Sequence, residues 1–345
     1  MSADLQPKYI SAKEVEKLLT WPLVNAAVEE ALKATGQTEI DPANLQHSYA
    51  VQPARSSTPC GDRTKLLMCM PGFVGNYQLG DPAGKKKNTI ACKLVTSFAS
   101  NQLRKPPVPN ILANILLFNT ETGQLQCIMD GTQITAWRTA AASIVATKYL
   151  YFKRFPEGVN KAIKLAIIGC GVQGQSHALG MCKTFNVIDV YLYNRTKAKA
   201  DQLADKLKAE CVIRVHVCDS AEKAVQDADV VCVGTYSPTA LINYEMLKGS
   251  DVHINTVGAG QVHFGEVAQD IYDQSVVYVD SMVSAKVELK DLKARIIGEV
   301  GEVIRNGKRT ENERITIYQS MGIAAEDATV AQAIYDATIK DNSCQ

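Results

Sequence analysis

The stretch KLAIIGCGVQGQSH sets Gly169, Gly171 and Gly174 in the spacing G-x-G-x-x-G, directly after an apolar run and directly before a helical one. Each glycine has its own task in such a turn. The first permits a tight reversal at the end of a strand, the second lets backbone approach a pyrophosphate, and the third lets helix and strand pack closely. The N–H groups that open the helix then face the phosphate charge. The spacing alone is weak evidence, but strand, helix and the alternating pattern that follows all agree, so the segment predicts a dinucleotide site. Val172 and Gln173, between the glycines, and Val257, at the end of HINTVG, join the cofactor set.

The end of the next strand decides which dinucleotide. A site for NAD keeps an acid about 20 residues after the fingerprint to accept from the ribose hydroxyls. YLYNRT offers Asn194, Arg195 and Thr196 instead, and Asp189 stands at the wrong end of its strand. An arginine there pairs with a 2′-phosphate, so NADPH is the expected cofactor. His263 could face the active cleft as a proton donor, although a loop histidine is more often simply solvated. His177, three residues past the fingerprint, reads as a packing or capping residue. No GxSxG elbow and no metal-ligand spacing offers a rival chemistry, and no metal is expected.

Stepping outward, the elements that must position these residues fall into two groups. Ser11 and Glu14 have capping-box spacing and open a first helix, which Pro22 is expected to end or kink. Apolar residues from Leu23 to Leu32 recur at helical spacing, and Gly36 offers a stop. TKLLMCMPGF, TIACKLVTSF, NILANILLF and QLQCIMD then read as short strands of antiparallel type, which makes an α+β unit. After Asp130 comes a long helix, QITAWRTAAASIVATKYL, and then strict alternation. Strands are predicted at KLAIIG, DVYLYN, RVHVC, DVVCVGT, DVHINTVG and VVYVDS, with helices beginning near Gly174, Thr196, Ser220 and Tyr244. Nearly continuous apolar strands between amphipathic helices predict an α/β fold with a doubly wound parallel sheet. The expected domains are 1–130, with 305–345 returning to it through a C-terminal helix, and 131–304 as the Rossmann domain.

Composition excludes several function classes. A chain of 345 residues is long for one core and suits two domains. A formal net charge of +1 gives no broad field for nucleic acid or an anionic membrane. No apolar run is long enough to span a bilayer, and the N-terminus carries charges where a secretory segment needs apolar residues. The 10 cysteines are scattered singly, with no CxxC, which predicts reduced thiols in a cytoplasmic protein. The run Lys85 to Lys87 reads as a solvated loop.

The stretches QPAR, KLVTSF, LLF with MDG, ITAWRTAAAS, GCGVQGQSH, YNRT, HINTVGA and YVDS run in order through nearly the whole chain. With them the sequence resembles the ornithine cyclodeaminase/mu-crystallin family, and its ketimine reductase branch is nearest. The resemblance implies a dimerising N-terminal domain beside the Rossmann domain, hence a homodimer. It also implies a clamp for a substrate carboxylate, with Lys93, Arg138 and Arg55 at the matching positions and Lys93 and Arg138 nearest the chemistry. A guanidinium can hold a carboxylate bidentately and an ammonium adds a point charge. MDG (Met129 to Gly131) is expected to turn the chain between the domains. The implied activity is NADPH-dependent reduction of cyclic ketimine carboxylates. The alternatives are an amino-acid dehydrogenase of alanine type, an ornithine cyclodeaminase, or a non-catalytic protein that binds a thyroid hormone-like molecule or accumulates in lens. One departure weighs against cyclodeamination: Gly260, followed by Gln261, stands where that branch has an aspartate. Trp137, beside Arg138, is read as packing between helices.

Overall fold

The computed structural model describes residues 6–36, 47–79, 84–249, 251–258, 265–307 and 313–343. Gly260, Gln261 and His263 lie outside the described residues. The chain divides into two compact units, one ending at Arg138 and resuming at Ile323, the other Thr139–Gly322. No described helix is long and apolar enough to cross a membrane.

In the first unit, Ser11 caps α1 (Ala12–Leu18) in the capping box that its spacing predicts, accepting from the Glu14 N–H. Pro22 does not end that helix. It occupies the first turn of α2 (Trp21–Ala34), capped by Thr20, where a missing N–H costs nothing. Seven strands follow the order β1-β7-β6-β5-β4-β2, with β3 also on β4. Their ranges are β1 Lys8–Ile10, β2 Tyr49–Val51, β3 Ser56–Cys60, β4 Asp62–Tyr77, β5 Lys87–Phe98, β6 Ile111–Phe118 and β7 Leu125–Asp130. All neighbours are antiparallel except β1 on β7.

The period of two along β5 sorts its residues cleanly. Thr89, Ala91, Lys93 and Val95 are buried, whereas Ile90 and Leu94 are each 38% exposed. The buried side packs against the C-terminal helix (Ala324–Ser343), which also touches α2, β4 and β6. Met70, Val95, Ala113 and Ala324 form one apolar cluster there. The approach is close: a Cβ on Gly72 would stand 2.8 Å from the Ala324 Cβ. Trp21 and Trp137 stack at 4.2 Å between ring centroids, which gives Trp137 the packing role expected of it.

The helix α3 (Thr132–Leu150) crosses the boundary between the units at Arg138. Its start is set by Asp130, whose carboxylate accepts from the Thr132 N–H at 3.0 Å. The MDG turn therefore joins β7 to α3 inside the first unit, and does not lie between units as expected.

The second unit is a sheet of eight parallel strands, two more than expected, in the order β10-β9-β8-β11-β12-β15-β13-β14. The strands are β8 Ile163–Ile168, β9 Val187–Tyr193, β10 Arg214–Val217, β11 Val230–Val233, β12 Val252–Thr256, β13 Ser275–Val279, β14 Ile296–Glu299 and β15 Ile315–Gln319. The larger departure is β15. Sequence patterning gave everything from 305 onward to the first domain, yet ITIYQ is fully buried between β12 and β13. Thr316, Tyr318 and Gln319 interrupt its apolar run, and hydrogen-bond partners allow Thr316 and Gln319 inside. Thr316 meets His253 at 2.8 Å, and Gln319 accepts from the Tyr272 hydroxyl at 2.8 Å and donates to the Gly258 carbonyl at 2.6 Å. The return to the first unit thus begins at Ile323. The segment at Tyr244 is one 3₁₀ turn (Tyr244–Met246), not a full helix. Among the described cysteines, all free, Cys127, Cys170 and Cys232 are buried and Cys60 is exposed.

Replacing Gly72 with Val is expected to push the C-terminal helix off β4. Overpacking of this kind costs about 1–3 kcal/mol. A calorimetric scan of the variant is expected to show a lower Tm, with loss of the burial of Asp327 and Lys93 visible as faster amide exchange in the first turns of that helix.

Candidate functional sites of the two units

In the second unit, Gly169 and Gly171 sit between β8 and α4 (Val172–Thr184), and Gly174 lies in the first turn of α4. Gly169 adopts φ +96°, and a Cβ on it would lie 2.6 Å from the Gly234 carbonyl oxygen. A Cβ on Gly174 would stand 1.8 Å from the Gly169 carbonyl oxygen. Those two glycines are demanded by the fold itself. Gly171 is different: an added Cβ meets nothing within 4 Å. It is also the N-cap of α4, with no side chain capping the helix. Open space above uncapped N–H groups is what a pyrophosphate requires, so the site fits a dinucleotide.

Asn194 has a structural task in this turn. Its Oδ1 accepts from the Cys170 N–H and its Nδ2 donates to the Thr196 carbonyl, both at 2.9 Å. The fingerprint loop and the end of β9 are thereby tied together, with Arg195 and Thr196 exposed beside them. Asp189, at the far end of β9, is engaged by Arg214 at 2.6 Å and His216 at 2.9 Å, which hold its carboxyl down to about 2. The Gln173 Oε1 is buried without a hydrogen-bond partner, and the Gln173 Cβ and the Val257 Cγ2 lie 3.3 and 3.5 Å from where a Cβ on Gly234 would be. Gln173 and Val257 therefore both lie against the turn that follows β11.

His177 is buried and does not point to chemistry. Its Nδ1 lies 2.8 Å from the Gln173 carbonyl, which can only accept, so Nε2 is left to accept from the Ser143 hydroxyl at 2.9 Å. Burial pushes its pKa down to about 4, and it stays neutral. Two residues of this unit had no sequence signal. Glu266 is buried, one oxygen accepting from the Thr235 N–H at 2.6 Å and from its hydroxyl, the other without a partner. Burial raises its carboxyl to about 7 despite those bonds. Asp280, in the YVDS stretch, accepts from the N–H groups of Met321 (2.8 Å) and Gly322 (2.7 Å) and so fixes the exit from β15.

In the first unit, Lys93 and Arg138 come together on the buried side of the sheet. Lys93 lies opposite Met70 on β4 and Ile115 on β6, both apolar. Its Nζ meets the Asp327 carboxylate at 2.6 Å. Arg138, inside α3, reaches Glu326 at 2.9 Å and Asp327 at 3.3 Å. All four side chains are no more than 7% exposed. Burial first, then the Arg138 charge, pushes the Lys93 ammonium down to about 8, against the pull of Asp327; Arg55 lowers it further. The three cations of the expected clamp thus share one electrostatic environment. Glu326 and Asp327 were missed because an acid in the first turn of a helix is ordinarily a solvated dipole partner.

The family model described as "Ornithine cyclodeaminase/mu-crystallin family" matches residues 10–342. The chain is 32% identical over 337 residues to ketimine reductase mu-crystallin of Mus musculus, covering 96% of this chain and 97% of that one. It is similar to the structure of Thermococcus litoralis Delta(1)-pyrroline-2-carboxylate reductase in complex with NADH and L-proline, at TM-score 0.80 and 26% identity, covering 97% and 98% of the two chains. An archaeal alanine dehydrogenase dimer with bound NAD matches at TM-score 0.79 and 26% identity, with 97% of each chain covered.

The two kinds of glycine are separable by experiment. Gly174→Ala is expected to cost at least about 2 kcal/mol, which lowers Tm by roughly 4 °C or more. Gly171→Ala is expected to leave Tm unchanged and to weaken dinucleotide binding at least about tenfold, read by quenching of protein fluorescence.

Proposed function

We propose, from the premise that the chain belongs to the ornithine cyclodeaminase/mu-crystallin family, that it is an NADPH-dependent reductase of cyclic ketimine carboxylates of piperideine- or pyrroline-2-carboxylate type. The observation that carries this reading is the buried meeting of Lys93 and Arg138 on one side of the first unit's sheet. A cyclic ketimine carboxylate puts its anion one bond from the electrophilic carbon. Groups that hold the carboxylate therefore also fix the carbon that accepts hydride.

A bound nicotinamide supplies the hydride. The chain's residues do the rest by binding and orientation. Gly169, Gly171 and Gly174, with Val172 and Gln173, receive the pyrophosphate, and Val257 lines the same turn. Arg195, exposed between Asn194 and Thr196, pairs with a 2′-phosphate. Arg138 and Arg55 grip the substrate carboxylate, and Lys93 adds its ammonium. A protonated imine is already electrophilic, so the hydride step needs no separate acid. That agrees with Gly260, which has no side chain to move protons in a deamination and ring closure.

A second copy of the chain completes the protein in this reading. Leu67, Ile90, Leu94 and Leu112 leave an apolar stripe, each 38–41% exposed, on the sheet face away from the C-terminal helix. Monomers rarely leave such a face in water, which supports a homodimer through the first unit. The similarity to alanine dehydrogenase supports a second reading, an amino-acid dehydrogenase that joins a 2-oxo acid and ammonia. The site requirements overlap, and turnover separates them.

NADPH oxidation followed against cyclic imine carboxylates and against linear 2-oxo acids with ammonia, together with ammonia release from ornithine in the presence of NADP (a conversion with no net cofactor oxidation), tests the proposal. Fast oxidation with the cyclic imines alone is expected; substantial conversion of ornithine would give the chain to the cyclodeaminases. Arg195→Ala is expected to weaken NADPH at least about tenfold while NADH changes little, since a charge-assisted contact contributes about 1.5–3 kcal/mol. Equal losses for both cofactors would remove Arg195 from the 2′-phosphate. The Lys93 ammonium predominates below its pKa of about 8. The kcat/KM for the imine carboxylate, corrected for imine protonation, is therefore expected to fall as pH rises through 8, and Lys93→Met is expected to abolish that fall together with most of the activity.

A further inference from the structure

The clamp cations do not stand alone. Two carboxylates from the first turn of the C-terminal helix meet them, and neither has a place in the reading above. Asp327 lies 2.6 Å from Lys93 and 3.3 Å from Arg138, and Glu326 lies 2.9 Å from Arg138. Glu326 is fully buried and Asp327 is 1% exposed. The strand positions opposite Lys93 are Met70 and Ile115, so among the described residues the charges that face it are Asp327, Arg138, Arg55 and, through Arg138, Glu326. Lys93 and Arg138 therefore form, with Glu326 and Asp327, a group of two cations and two anions whose formal charge is zero.

We infer that Asp327 and Glu326 are positioning residues: they hold Lys93 charged and Arg138 oriented, and their negative charge makes the site accept one substrate carboxylate and reject a second. The inference rests on the carboxylate-clamp reading given above. Its physical content is simple. Without Asp327, the Lys93 ammonium keeps the full cost of burial and the repulsion of Arg138 and Arg55, with no anion to offset them. A first carboxylate from the substrate meets the positive charge of Arg138, Lys93 and Arg55, which together outnumber the two anions by one. A second one, within reach of Glu326 and Asp327, meets two anions in a setting too dry to screen them.

The test uses ligands that are not turned over, bound to the protein in saturating NADPH and measured by titration calorimetry. Pyrrole-2-carboxylate, pyrrole-2,5-dicarboxylate and the monoamide of the latter are the probes; the last two share a shape and differ by one charge. The wild-type protein is expected to bind the monoamide at least about tenfold more tightly than the dicarboxylate. Glu326→Gln is expected to narrow that ratio at least threefold. Binding of pyrrole-2-carboxylate is expected to fall above pH 8 in the wild type. In Asp327→Asn the fall is expected at least one pH unit lower, with Asp327→Glu returning it towards the wild-type position. Equal binding of the dicarboxylate and its monoamide by the wild type overturns the inference, and needs no variant to fold. So does a folded Asp327→Asn with the wild-type pH limb, which would leave Asp327 a structural ion pair only, and so does failure of all three probes to bind. Absence of imine turnover with these binding results intact removes the reductase reading and leaves the charge assignment standing.

Discussion

A lysine pointed into the interface between a sheet and a helix is the constraint on which the first unit depends. Lys93 lies between Ala91 and Val95 on the buried side of β5, where an unpaired ammonium costs several kcal/mol. Asp327 meets that demand from the C-terminal helix. The chain thus has an electrostatic reason, in addition to the apolar contact of Ala324 with Met70, Val95 and Ala113, to bring its last segment back to its first. Buried ion pairs of this kind add little net stability over apolar packing, but removing one partner is costly, about 3–5 kcal/mol. Their retention in a protein is best explained by what the charges do, and here they bring an ammonium and a guanidinium together in a dry place.

The second unit answers a different demand with different means. Its sheet consists of short parallel strands, most of them buried on both faces, and several polar residues inside it are hydrogen-bonded. His253, Thr316 and Asn255 form one such set, and Tyr272 with Gln319 another. At the fingerprint turn the helix end is left without a side-chain cap and Arg195 stands exposed beside it. Gly174 packs helix on strand, and Gly171 leaves room above the helix end.

Much of this was legible from the sequence, and the reasons are specific. The fingerprint was readable because its glycines answer to sterics that few other sequences satisfy. β5 was readable as a strand from its run of apolar and β-branched residues, although its buried side carries Thr89 and Lys93, and the capping box at Ser11 was readable because its hydrogen bonds are local. The failures share another cause. β15 carries Thr316 and Gln319, whose hydrogen-bond partners come from far away in the chain, so no local pattern marks it as a central strand. Pro22 was misread because a proline in the first turn of a helix and one that breaks a helix differ only in where the preceding helix stops. Glu326, Asp327 and Glu266 are acids whose partners come from distant segments, and a single sequence gives such pairs no signature.

The central claim is that the buried cations recognise a carboxylate beside the reacting C=N bond, and one comparison addresses it most directly. The rate of NADPH oxidation is measured with a cyclic imine carboxylate and with the same ring lacking the carboxylate, at equal concentrations of protonated imine. The account predicts kcat/KM at least a hundredfold higher for the carboxylate, with the difference abolished when Arg138 is replaced by Met. Equal rates for the two rings in the wild-type protein would contradict it.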